Sequence, residues 1–109
     1  MAYHRPTADR VQNALGQKTD LNAIKMFGGI AFMVRGNMCC GVLDDGLILR
    51  LGPVLGQQTL VLPHTHPFDF TGKPMKSIIT VKPAGFESDE DLDQWLNMAL
   101  EFCLTLPPK

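Results

Sequence analysis

KMFGGIAFMVRGNMCCGVLDDGLILRL, from Lys25 to Leu51, is the stretch on which the fold turns. Its apolar residues fall into short runs, Ile30 to Val34, Met38 to Leu43 and Leu47 to Leu51. They are separated by Gly36-Asn37 within RGN and by Asp44 to Gly46. Gly, Asn and Asp at that spacing signal hairpins, because they accept the backbone conformations that tight turns demand. The stretch therefore predicts an antiparallel meander of three or four strands between Ala23 and Leu51. In its last run Leu47, Leu49 and Leu51 share one face, while Ile48 and Arg50 share the other.

Outward from the meander the period lengthens to that of a helix. Between Pro6 and Leu15, residues Ala8, Val11 and Leu15 lie on one helical face with Ala14 beside them, and Gly16 stands where a C-cap glycine belongs. Near the other end, Leu92, Trp95, Leu96, Ala99, Leu100 and Cys103 form a continuous helical stripe. Ser88 is placed to cap this helix, with Asp91 three residues on, and Asp89, Glu90, Asp91 and Asp93 suit its positive end. Gly52-Pro53 ends the meander, VLGQQTLVL (Val54 to Leu62) predicts a short helix, and PHTHPFDFTGKP (Pro63 to Pro74) predicts a loop. Ser77 to Val81 is β-branched enough for one later strand. The expectation is a single α+β domain over residues 1–109: two layers, an antiparallel sheet with the N- and C-terminal helices packed on it.

With 45% apolar and 19% charged residues, the 109-residue chain has the composition of a folded domain rather than a disordered segment. Its formal net charge of −1 argues against strong non-specific nucleic-acid binding, which draws its affinity from Lys and Arg on phosphates. Three cysteines, two of them adjacent, do not read as a disulfide framework and suggest a reduced, cytoplasmic setting. The polar opening MAYHRPTADR lacks the apolar core of a signal peptide, and no apolar run approaches the ~20 residues of a membrane span.

Each candidate for chemistry has a structural reading beside it. Gly28-Gly29 suggests a phosphate cradle, but that needs a helix N-terminus next, and the strand-like IAFMV follows. The pair instead predicts a bulge, a kink or a close backbone approach. Cys39 and Cys40 suggest metal or redox chemistry. On a regular strand, however, neighbouring side chains point to opposite faces, so the pair predicts two buried, inert thiols. His64 and His66 form a His-x-His without the further ligands that zinc demands, and His4 adds nothing to them. Cys40, Cys103, His64 and His66 have the types needed for nucleophilic catalysis but no motif, and Asp69 and Glu87 form no carboxylate pair. Arg50, Lys73, Lys76 and Lys82, with Phe68 and Phe70, are a basic and aromatic set of the kind that holds single-stranded nucleic acid. The plainer expectation is that the rings plug the core and the lysines are solvated.

Three stretches together resemble the TfoX/Sxy N-terminal domain family. They are the Lys25–Leu51 stretch with its Met-Phe-Gly-Gly opening, HPFDFTGKPMKSIITVKPAGF, and DEDLDQWLNMALEFCLTLPPK with its Trp-bearing helix and Leu-Pro tail. Met26, Phe27, Gly28, Gly29, Phe68, Phe70, Gly72, Pro74 and Met75 carry over as motif positions only. The resemblance implies an α+β fold with an antiparallel sheet and no catalytic residue; no cofactor or metal ligand is expected either. Its best-known members regulate natural competence, acting in transcription with a separate C-terminal domain, and with the chain ending at Lys109 no such domain is expected. The expectation is a small cytoplasmic regulatory or interaction module that works through a protein partner, or as a homodimer, with no membrane association. Nucleic-acid binding through Arg50, Lys73, Lys76 and Lys82 is the alternative.

Overall fold

The computed structural model describes residues 3–26, 28–68 and 75–108, with the side chains of Met26, Met75 and Lys76 outside that description. In chain order the elements are α1 (Arg5–Gly16), β1 (Asn22–Met26), β2 (Gly29–Val34), β3 (Asn37–Leu43), β4 (Gly46–Arg50), α2 (Pro53–Thr59), β5 (Thr65–Phe68), β6 (Met75–Val81), a 3-10 turn (Pro83–Gly85) and α3 (Asp89–Leu104). The strands form one antiparallel sheet in the order β1-β2-β3-β4-β6-β5. The fold is the expected α+β class.

Register explains the core. Phe32, Cys40, Leu49 and Ile79 stand opposite one another across four strands, and Ile30, Val42, Leu47 and Val81 form the next row. These rows face the helices. Phe32, Leu47, Leu49, Ile79 and Val81 are fully buried, joined by Val11 and Leu15 from α1 and by Leu92, Leu96 and Ala99 from α3. α3 lies over β3 and β4, α1 packs against α3 and β3, and α2 against β6. Burying a Leu or Phe stabilises by about 1.5–3 kcal/mol, so this shared core is the main cohesive force.

The structure departs from expectation at several points. Among the described residues the sheet has six strands rather than three or four with one later addition. β1 is an edge strand whose Asn22, Ala23, Ile24 and Lys25 are all exposed, so it pairs by backbone alone and leaves no apolar alternation in the sequence. β5 arises inside the expected loop. Pro67 is tolerated there because β5 is the other edge, and an edge strand can lack one N–H donor. The first tight turn sits at Arg35-Gly36 (φ 55° and 85°), one residue before Gly36-Asn37, and Asn37 pairs with Val34 inside the ladder. Both turn residues are left-handed, which matches the twist of the flanking strands. Gly16 is the last residue of α1 and not its cap: Gln17 follows with right-handed φ −78°. α2 begins at Pro53 and ends at Thr59, shorter than expected, because Pro53 fits a first helical position and Thr59 Oγ1 donates back to the Gly56 carbonyl.

Candidate functional site

The Gly28-Gly29 bend joins two strands. Gly28 turns the chain with φ +79°, and Gly29 opens β2, so no helix N-terminus follows the pair. A Cβ at Gly29 would stand 2.6 Å from the Val42 carbonyl oxygen, which is the close backbone approach expected of it. Phe27, Phe70, Gly72 and Pro74 lie outside the described residues. Phe68 closes β5 opposite Met75 at a bulge.

The basic set is not gathered into one patch among the described residues. Arg50 ends β4 with its guanidinium over the Phe102 ring of α3, 5.9 Å from the centroid. Lys82 is exposed just beyond β6, at the opposite end of the β4–β6 ladder: Arg50 faces Ile78, whereas Leu47 faces Val81. About four residues of strand separate the two, roughly 13 Å. Lys73, Asp69 and the Lys76 side chain lie outside the described residues.

His64 and His66 are exposed at the β5 edge, and His66 faces Thr80. His4 sits instead at the start of α1, with Nδ1 2.7 Å from Thr7 Oγ1. Three strand spacings, roughly 14 Å, separate β5 from Cys40 on β3, so histidine and thiol are not brought together. Glu87 is exposed, and its carbonyl accepts from Arg10 at 3.3 Å. Among the described residues no three His, Cys, Asp or Glu side chains are arranged to hold a metal ion.

The cysteines are buried as expected, at 0% for Cys39 and Cys40 and 1% for Cys103, but their directions are not those of a regular strand. The β2–β3 register shifts between Phe32 and Met33: Phe32 faces Cys40 while Met33 faces Met38, which leaves Cys39 as the extra residue of a bulge. A bulge breaks the alternation of faces. Cys39 and Cys40 thus both join the core beneath α3, of which Cys103 is also part. Cys103 Sγ lies 3.7 Å from the Val34 carbonyl oxygen and 3.8 Å from that of Asn37. The Cys40 S–H holds the Cys39 thiol below its ordinary range, against burial, and Cys103 adds to that effect. Cys40 is pushed well up by its bond to Cys39 and by burial. Burial, then the charge of Cys39, pushes Cys103 up to about 11, partly opposed by Arg50 and Arg35. Sequence periodicity missed this cluster, because a bulge carries no apolar-pattern signal.

A second feature without a sequence signal is Arg10 of α1. It donates to the carbonyls of Phe86 (3.0 Å) and Glu87 (3.3 Å), pairs with Asp89 (3.3 Å) and lies over the Phe86 ring. With Lys18 and Asp93, paired at 2.7 Å, it lines a surface groove of about 700 Å³ between α1 and the start of α3.

Neither the comparison with curated proteins nor that with solved structures returned a significant match. The family model of the TfoX N-terminal domain matches residues 13–103, which runs from α1 through nearly all of α3. The chain belongs to the TfoX N-terminal domain family.

Proposed function

We propose that this chain is a small regulatory, non-catalytic interaction module of the cytoplasm, acting through a protein partner or a second copy of itself. The observation that carries the reading is the family match over residues 13–103, taken with the resemblance to competence regulators. The geometry supplies a surface for it. Among the described residues β1 bonds to β2 alone, so its outer edge carries backbone donors and acceptors that another strand can pair with. Ile24, 45% exposed, offers an apolar side chain on that edge. No helix among the described residues is long and apolar enough to cross a membrane. The nucleic-acid alternative draws less support, since Arg50 is occupied by Phe102 and lies at the far end of the ladder from Lys82.

Light scattering across protein concentrations, with affinity capture from the source cell, tests the proposal on wild type and Ile24→Lys. Self-association or a captured partner that Ile24→Lys loses, with its circular dichroism unchanged, supports it. A wild-type protein that stays monomeric and captures nothing beyond what the variant captures overturns it.

A further inference from the structure

We propose that the outer edge of β1 pairs antiparallel with β1 of a second copy of this chain, joining the two sheets through a two-fold axis at Ile24. The inference rests on the interaction-module reading above and names the partner that its edge takes. The sheet treats its two edges differently. β5 carries Pro67, which lacks an N–H, and its register shifts between Pro67 and Phe68. Both features close an edge to further strands. β1 has neither. Its five residues pair with β2 in an unbroken register, from Asn22 opposite Met33 to Met26 opposite Gly29. At its centre stands Ile24, 45% exposed. A regular edge with an exposed apolar side chain at its middle is suited to strand addition.

Geometry and charge select the second copy as the occupant, and its register. Opposed residues of paired strands point to the same face, so two copies of β1 meet only about an axis through a residue. An axis at Lys25 sets two ammoniums directly opposite, which is unfavourable. An axis at Ala23 leaves Met26 beyond the partner's strand. The Ile24 axis engages all five residues: Ile24 meets Ile24, Ala23 meets Lys25, and Asn22 meets Met26. No like charges then stand directly opposite, so Lys25 narrows the edge to one register without closing it. Ile24 is opposite Ala31, Ala31 opposite Gly41, and Gly41 opposite Ile48, in a row on the face away from the helices. Ala31 and Ile48 are buried, and the Ile24 pair carries this apolar row across the axis. Five residues of strand extend only about 17 Å. That is short for the roughly 1,200–2,000 Å² of a stable complex, which places the dimer in the weak, concentration-dependent class.

The test is sedimentation equilibrium of the reduced full chain up to about 1 mM, where weak dimers form, combined with cross-linking between chains. Wild type should dimerise. Ile24→Lys, which sets like charges on the axis, should raise the dimer Kd about tenfold with its circular dichroism unchanged. His66→Lys, on the β5 edge, should leave the Kd as it was. Under mild oxidation Ile24→Cys should link chain to chain, because residues opposed across a strand pair lie within disulfide reach. Lys25→Cys should link far less, since the two copies of residue 25 stand on a diagonal of roughly 7–8 Å. A wild type that stays monomeric to the top of the range overturns the inference. If affinity capture then finds another protein that Ile24→Lys loses, the interaction-module reading stands without it; if capture finds nothing, both fall. A dimer indifferent to Ile24→Lys, or Lys25→Cys linking as readily as Ile24→Cys, also overturns it.

Discussion

Gly28 and Gly41 are both glycine, for different physical reasons that a stability measurement separates. Gly28 has φ +79°, and a Cβ there would meet nothing within 4 Å, so its need is conformational. Gly41 faces Ile48 and Ala31 across the sheet, and a Cβ there would stand 2.7 Å from the Ile30 carbonyl oxygen, so its need is room. Gly28→Ala should cost about 1–2 kcal/mol, and Gly28→Asn should recover part of it, because Asn tolerates left-handed backbone. Gly41→Ala should cost about 1–3 kcal/mol by forcing neighbouring strands apart, and Gly41→Asn should cost more rather than less. Urea midpoints of the four variants check both statements. The glycine pair at 28–29 was legible as a bend with close backbone approach. The shared direction of Cys39 and Cys40 was not, because strand alternation is the rule a bulge suspends.

Among the elements, α3 was the most legible. Its apolar stripe is the buried one, and Ser88 caps it as expected, its hydroxyl accepting the Asp91 N–H at 3.0 Å. Three acids in the first turn complement the same end of the helix. Ser88→Ala should destabilise the protein by about 1 kcal/mol, and Ser88→Asp should restore most of that, because a carboxylate both accepts the N–H and meets the helix dipole. Thermal unfolding of the pair with wild type measures it. The edge strands were the least legible elements. β1 buries none of Asn22 to Lys25, and β5 holds a proline, so neither shows the pattern by which a strand is recognised. Their existence depends on the backbone donors and acceptors of β2 and β6, which a linear reading does not display.

Across the whole molecule, Arg10 is the tie between the N-terminal helix and the approach to α3. Its bond to the Phe86 carbonyl is partly buried and the Phe86 ring beneath it is buried, whereas the Glu87 carbonyl and Asp89 lie exposed. Arg10→Ala should therefore cost about 1–2 kcal/mol, and Asp89→Ala less than about 0.5 kcal/mol, since an exposed ion pair contributes little. Chemical denaturation of each variant tests the difference, and a larger loss for Asp89→Ala would refute the assignment. What the amino-acid sequence determined by itself was the α+β class, the central meander, the two amphipathic helices and the cap of α3. These follow from local periodicity, turn chemistry and capping, all of which act within a few residues. Tertiary structure alone decided the two edge strands, the distance between Arg50 and Lys82, and the shared direction of Cys39 and Cys40 into the core. Those depend on register between strands and on where a helix crosses the sheet, and such pairings of distant residues leave no periodic trace along the chain.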